Sequence, residues 1–218
     1  MENQCLKISD FINIFQKISS SILEHSDELC ELDAVVGDGD HGTTIKRGVL
    51  AGEKAIMATS FETVDKLLSA YALAMVSSMG GAAGPIFSSL FMGMASGGNG
   101  VIEINSEQMV SMLKLGLERI VALGKAKEGD KTLVDALAPA TRAAKKALDE
   151  GSSLSRILEL AYLAGKEGTM NTSSMIAKKG RAQFAGERGL GHEDAGAASI
   201  TLILQAFSEG AKSGATNA

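Results

Sequence analysis

The 218-residue sequence has no tryptophan, only two tyrosines and seven phenylalanines, so aromatics make up 4% of it. Hydrophobic residues still reach 45%, which leaves alanine, glycine, leucine, methionine and serine to do the packing. Small residues of this kind let helices approach closely. Cysteine is almost absent. Cys5 and Cys30 are too few for a disulfide framework and their spacing suits no zinc site, so two free thiols are expected. Positive charge is not in excess either. The net charge is −5, which argues against a nucleic-acid partner, because phosphate backbones attract basic surfaces. The opening MENQCLKISD lacks a basic segment followed by an apolar one, so no signal peptide and a cytoplasmic location are expected.

One absence points two ways. No residue between Lys66 and Glu103 carries a formal charge, a pattern that invites a membrane span. The run is broken by Gly80-Gly81-Ala82-Ala83-Gly84-Pro85 and is rich in serine and glycine. Two buried helices joined by a turn are expected instead, with no membrane partner.

The length fits one domain over residues 1–218. There is no repeat, low-complexity tract or Pro/Ser-rich linker, and no convincing strand alternation. Ile8, Phe11, Ile12, Phe15, Ile18, Ile22 and Leu23 recur at three- and four-residue steps, the pattern of an amphipathic helix. A second helix is expected over Thr44–Ala58. A third is expected to be capped by Ser60, and a fourth to carry Pro85 in its first turn. Ser106 should start a fifth. A sixth is expected over Thr132–Leu148, with Pro139 a kink. Ser153 should cap a seventh, and an eighth should begin near Asp194. The expected fold is all-α: eight helices in an antiparallel up-and-down barrel or bundle. Longer loops are left at 28–43, 97–105, 124–131 and 174–193. Loops of this kind often carry function.

The strongest chemical signal is Asp33-Ala34-Val35-Val36-Gly37-Asp38-Gly39-Asp40-His41-Gly42. Glycines let the chain turn sharply, so three carboxylates can converge. Converging carboxylates repel unless a cation neutralises them. A hard divalent ion such as Mg²⁺, shared with phosphate oxygens, suits such a set. A solvated acidic turn is the plainer alternative for a single Gly-Asp-Gly. A calcium EF-hand does not fit, because positions five and twelve counted from Asp38 are Gly42 and Val49. An HD-type phosphohydrolase does not fit either: it needs His before Asp and further His ligands, and only His25 and His192 remain.

Three further clusters stand out. Ser78–Pro85 is a glycine-rich turn that opens a helix, a cradle for an anion or, equally, a close helix crossing. It is neither a Walker A motif nor a dinucleotide fingerprint. Gly124–Thr132 is a charged loop leading to a helix that carries Asp135. Lys178–Arg181 leads to Gly186-Glu187-Arg188 and then to Gly191–Gly196, read either as a solvated loop or as a cationic cover in which Arg181 stabilises charge on a transferred phosphoryl group.

Taken in order, Asp-x4-Gly-Asp-Gly-Asp-His-Gly, Gly-Gly-Ala-x-Gly-Pro, Gly-Asp-Lys-Thr, Lys-Gly-Arg-Ala and Gly-Glu-Arg-x-x-Gly-His-x-Asp resemble the L subunit of dihydroxyacetone kinases over nearly the whole chain. The resemblance implies an eight-helix antiparallel barrel. It implies that Asp33, Asp38 and Asp40 hold Mg²⁺, as two ions, against the phosphates of ADP or ATP, with Arg181 as a further catalytic residue. Nucleotide contacts are implied at His41, Gly42, Thr43, Thr44, Gly81, Ala82, Ala83, Gly124, Leu133, Arg181, Asp194, Ala195 and Gly196. Two positions depart from the family pattern: Ala83 stands where many members have serine, and Ala195 where many have proline.

The same resemblance implies partners: a K subunit that holds dihydroxyacetone on a histidine, and a phosphohistidine donor protein, the M subunit, fed by phosphoenolpyruvate. A homodimer and contact with a transcription regulator are further expectations. An ATP-dependent kinase of triose or tetrose ketoses, a nucleotide-loaded regulatory module and a metal-dependent phosphohydrolase are the alternatives.

Overall fold

The computed structural model describes residues 5–214. Residues 1–4 and 215–218 lie outside the described residues. They include part of the opening segment and both ends of the expected 1–218 domain.

Nine α-helices are found among the described residues: α1 (Ile8–Glu24), α2 (Ser26–Ala34), α3 (His41–Met57), α4 (Val64–Ser78), α5 (Ala83–Gly97), α6 (Ser106–Gly124), α7 (Val134–Asp149), α8 (Leu154–Asn171) and α9 (Ala195–Gly214). Eight of them close a ring. Each of α3 to α8 packs on the next in sequence, and α1 packs on both α3 and α9. Neighbours run antiparallel: Gly52 faces Tyr71 while Gly48 faces Met79, and Gly93 faces Gly116 while Gly97 faces Met112. The expected all-α, eight-helix, up-and-down barrel is therefore present. The ninth helix, α2, overlaps the first part of the expected loop 28–43 and packs across the end of the ring on α3 and α9.

The sparse aromatics are concentrated rather than scattered. Phe11, Phe15, Tyr71, Phe91 and Phe207 touch one another in the middle of the barrel, with Phe15 stacked on Tyr71 at 3.9 Å between ring centres. Each is fully or almost fully buried. Burial of one such side chain contributes roughly 1.5–3 kcal/mol. Small residues allow the tight crossings around this cluster. A Cβ added to Gly93 would overlap the Leu115 carbonyl oxygen.

The caps follow short-range chemistry. Asn105 and Gln108 form a reciprocal capping box at α6, with both bonds at 2.9 Å. Ser153 caps α8 through the Arg156 N–H. Thr63, not Ser60, precedes α4. Pro139 sits inside α7, which continues as one helix. Proline has no N–H to give the carbonyl four residues back, so the Asp135 oxygen is freed. α8 fills that gap: a Cβ on Gly168 would overlap this oxygen.

A two-residue antiparallel pair, β1 (Leu6–Lys7) with β2 (Glu103–Ile104), is the one departure from an all-helical reading among the described residues. It uses the 97–105 loop at the C-terminal end of α5, so that loop lies away from the end where α5 begins. No described helix is long and apolar enough to cross a membrane.

Candidate functional site

α3, α5, α7 and α9 all begin at the same end of the ring, because alternate helices of an antiparallel barrel point the same way. A helix start leaves N–H groups unpaired and carries partial positive charge. Four starts at one end make a place suited to an anion.

The acidic loop crosses this end. Asp33 is in the last turn of α2, and Asp40 immediately precedes α3. The Gly37 N–H folds back on the Asp33 carbonyl at 2.6 Å. Gly39 takes a left-handed φ of 74°, which glycine adopts without steric cost. The Asp33 carboxylate then accepts the N–H groups of Gly39 at 2.9 Å and Asp40 at 3.1 Å. This fold-back brings a carboxylate oxygen from each of Asp33, Asp38 and Asp40 within 4.8 Å of the others. Asp38 and Asp40 are exposed and Asp33 is half-buried. Three carboxylates this close, open to solvent, match the oxygen donors a hard divalent cation takes. Arg181 reaches over from the long loop before α9 and forms an ion pair with Asp38.

His41 opens α3 beneath these carboxylates. Its Nε2 lies 2.9 Å from the Ser199 hydroxyl, and its ring packs 5.9 Å from Phe87. Ser199 donates its own proton to the Ala195 carbonyl at 2.9 Å, so Nε2–H must be the donor between the two side chains. Burial pushes the imidazole pKa down, against the pull of Asp33 and Asp40. Gly42 is fixed by packing: a Cβ there would overlap the Ser26 carbonyl oxygen of α2.

The remaining residues expected at a site lie at the same end of the barrel. Thr43 is exposed in the first turn of α3, whereas Thr44 is buried and its hydroxyl accepts from Arg47 at 3.2 Å. Gly81, with φ 65°, leads to Ala82 and Ala83 at the start of α5, beside open space. Gly124 ends α6, facing Ile86 of α5. Leu133 precedes α7, and Gly196 lies against it. Asp194 caps α9 through the Ala197 N–H at 2.8 Å, and burial raises its carboxyl pKa to about 6. Ala195 is the buried first residue of α9. All of these stand at helix ends on the side of the barrel that carries the acidic loop.

Sequence reasoning missed Lys131 and Ser199. Lys131 lies in the charged 124–131 loop yet is only 2% exposed. Its ammonium donates to the carbonyls of Thr172, Gly189 and His192. The available signal was the Gly-Asp-Lys-Thr run just before a helix.

A family profile described as the DAK2 domain matches residues 35–209. The chain belongs to the DAK2 domain family. This DAK2 domain is 29% identical over 207 residues to the PEP-dependent dihydroxyacetone kinase, ADP-binding subunit DhaL, of Escherichia coli, covering 95% of the chain and 99% of that protein. It is 32% identical to the PTS-dependent counterpart of Lactococcus lactis, covering 94% and 98%. A 35% match to the L-erythrulose kinase of Pectobacterium atrosepticum covers 86% of the chain but 32% of that longer protein. Among solved structures, the dihydroxyacetone kinase of C. freundii in complex with AMP-PNP and Mg²⁺ superposes with a TM-score of 0.69 at 25% identity, over 91% of this chain and 33% of that one. This DAK2 domain thus spans nearly all of the separate ADP-binding subunits and about a third of the longer kinases. These relatives are all kinases or kinase subunits.

Proposed function

We propose that this chain is a single-domain, nucleotide-binding and phosphoryl-transferring subunit of a dihydroxyacetone-type kinase. The observation that carries the reading is the convergence of Asp33, Asp38 and Asp40 beside the starts of four helices. Asp33, Asp38 and Asp40 would hold Mg²⁺, as two ions. When bound, the metal supplies the charge that lets polyphosphate share this place with three carboxylates. His41–Thr44 and Gly81–Ala83 stand at the starts of α3 and α5, where free N–H groups suit phosphate oxygens. Gly124, Leu133 and Asp194–Gly196 would border the rest of the nucleotide.

Phosphoryl transfer asks little covalent chemistry of the protein; positioning and charge stabilisation suffice. Arg181 presents an exposed guanidinium beside Asp38, placed to bind oxygens of a transferred group with two parallel N–H donors. Asp33 supports its neighbours by holding the loop backbone. The neutral His41, tied to Ser199, fixes the start of α3 without adding a charge.

The near full-length match to separate ADP-binding subunits supports a relay. In it, a phosphohistidine donor protein recharges bound ADP, and the phosphoryl group then passes to dihydroxyacetone on a K subunit. The match to an L-erythrulose kinase supports the second reading, an ATP-dependent ketose kinase subunit. Native mass spectrometry after dialysis tests both. Retained ADP with two magnesium ions, and turnover that requires phosphoenolpyruvate, fits the relay. Turnover with ATP alone fits the second reading. Failure to bind either nucleotide rejects both.

A further inference from the structure

Lys131 is a buried cation that the proposed chemistry leaves unused. Its backbone takes a left-handed φ of 57°, uncommon for a residue with a side chain. Two carboxylates hold that turn. Asp135 accepts the N–H groups of Gly129 at 2.5 Å and Thr132 at 2.8 Å, and Asp130 accepts the Lys127 N–H at 3.0 Å. The turn directs the lysine inward. There its three ammonium protons meet three carbonyls: Thr172 at 2.8 Å, Gly189 at 2.7 Å and His192 at 2.7 Å. An ammonium has three donors, so the head is saturated.

Those carbonyls come from the two ends of one loop. Thr172 follows α8; Gly189 and His192 precede α9. Between them the chain carries Arg181 and the exposed Phe184 out from the barrel. The same base is closed by the Gly191 N–H on the Ser173 carbonyl at 2.8 Å, and by the Lys178 N–H on the Asp130 carbonyl at 2.9 Å. Gly189 is pinched between the Lys131 side chain and Val36 of the acidic loop: a Cβ there would lie 3.1 Å from Val36 and 3.6 Å from the lysine Cε. Lys131 therefore holds the base of the loop that carries Arg181, and Gly189 of that base lies against the loop that carries the three aspartates.

We infer that Lys131 is a positioning residue, a clasp at the base of the 172–192 loop that sets Arg181 over the carboxylates and so tightens nucleotide binding. The inference rests on the nucleotide-site reading above, while the clasp itself can be measured without nucleotide.

The test compares Lys131→Met with the unaltered protein in two ways. The first is amide hydrogen exchange without ligand. Exchange at Lys178 and Gly191 should quicken at least tenfold, with α4, α5 and α6 unchanged. The second is a calorimetric cycle of ADP affinity in millimolar Mg²⁺ with Arg181→Ala. The two substitutions together should weaken binding no more than about twofold beyond the worse single one, because an unclasped Arg181 no longer contributes. A general loss of packing would instead give independent, multiplying effects. Unchanged loop exchange, or multiplying effects, overturns the clasp. If Lys131→Met does not fold, Lys131→Arg is measured the same way. It keeps the charge but cannot aim three donors from one nitrogen, so faster loop exchange is expected, and exchange equal to that of the unaltered protein overturns the proposal. Failure of the unaltered protein to bind ADP refutes the nucleotide site but leaves the exchange result readable.

Discussion

Asp40→Asn should make the metal-free protein more stable and the ligand-loaded protein less so. The substitution changes charge and little else. Asp40 makes no side-chain bond to the start of α3, and asparagine suits a helix start as well as aspartate does. Its carboxylate lies within 4.8 Å of those of Asp33 and Asp38. At that separation two unit charges repel by about 0.9 kcal/mol in bulk water and about 3.5 kcal/mol at an effective dielectric constant of 20. The site is open, so the lower figure applies, and Arg181 already offsets part of the Asp38 charge. Relief from both neighbours then totals about 1–2 kcal/mol. Against this stands the lost attraction of a carboxylate to the α3 N-terminus, about 0.3–1 kcal/mol. The net gain without metal is about 1 kcal/mol, or roughly 2–4 °C in melting temperature for a chain of this size. Unaltered protein should gain about 2.7 kcal/mol from Mg²⁺ and ADP at a hundred times the dissociation constant. The variant should lose most of that gain, so the order of stabilities reverses. Urea melts in EDTA and in Mg²⁺ with ADP measure both. A variant less stable in EDTA, or one that gains as much from the ligands, would refute the electrostatic reasoning.

Other perturbations have equally definite signs. Tyr71 is fully buried and its hydroxyl has no hydrogen-bond partner among the described residues, so Tyr71→Phe should raise stability by about 1 kcal/mol in urea melts with ADP affinity unchanged; a loss of stability would show a partner. Gly42→Ala drives a methyl into the Ser26 carbonyl, so α2 must shift; a cost of about 1–3 kcal/mol is expected, with weaker ADP binding in calorimetry. Asp194 has a folded-state pKa raised to about 6 from an ordinary 3.8. Its protonated form is favoured in the fold, so its contribution is complete below about pH 4 and is lost as pH rises through about 6, a change of up to about 3 kcal/mol. Asp194→Asn should flatten that part of the stability–pH curve, and an unchanged slope would place the titration elsewhere.

Much of the barrel was legible because its helices alternate apolar and polar faces at helical spacing. α2 was not. Its sequence, Ser-Asp-Glu-Leu-Cys-Glu-Leu-Asp-Ala, carries four acidic residues and buries only Ser26 and Leu29, so it gives no apolar stripe. The cap of α4 was misplaced by three residues because Ser60 and Thr63 offer similar chemistry and only the fold selects between them. The convergence of the aspartates was legible because three of them stand among three glycines within ten residues, which is more than a single solvated turn needs. Lys131 was not, since lysine is almost never fully buried unless paired, and its partners are carbonyls more than forty residues away in sequence. His41 was legible as part of the acidic motif, but its partner Ser199 sits one turn into the largely apolar α9 and is brought to it only by ring closure.

The most direct measurement of the central claim is calorimetric titration of ADP into the nucleotide-free protein, in millimolar Mg²⁺ and again in EDTA. One site per chain is predicted with Mg²⁺, with binding abolished by EDTA and by Asp38→Asn. No uptake with Mg²⁺, or binding indifferent to EDTA and to Asp38→Asn, would contradict the account.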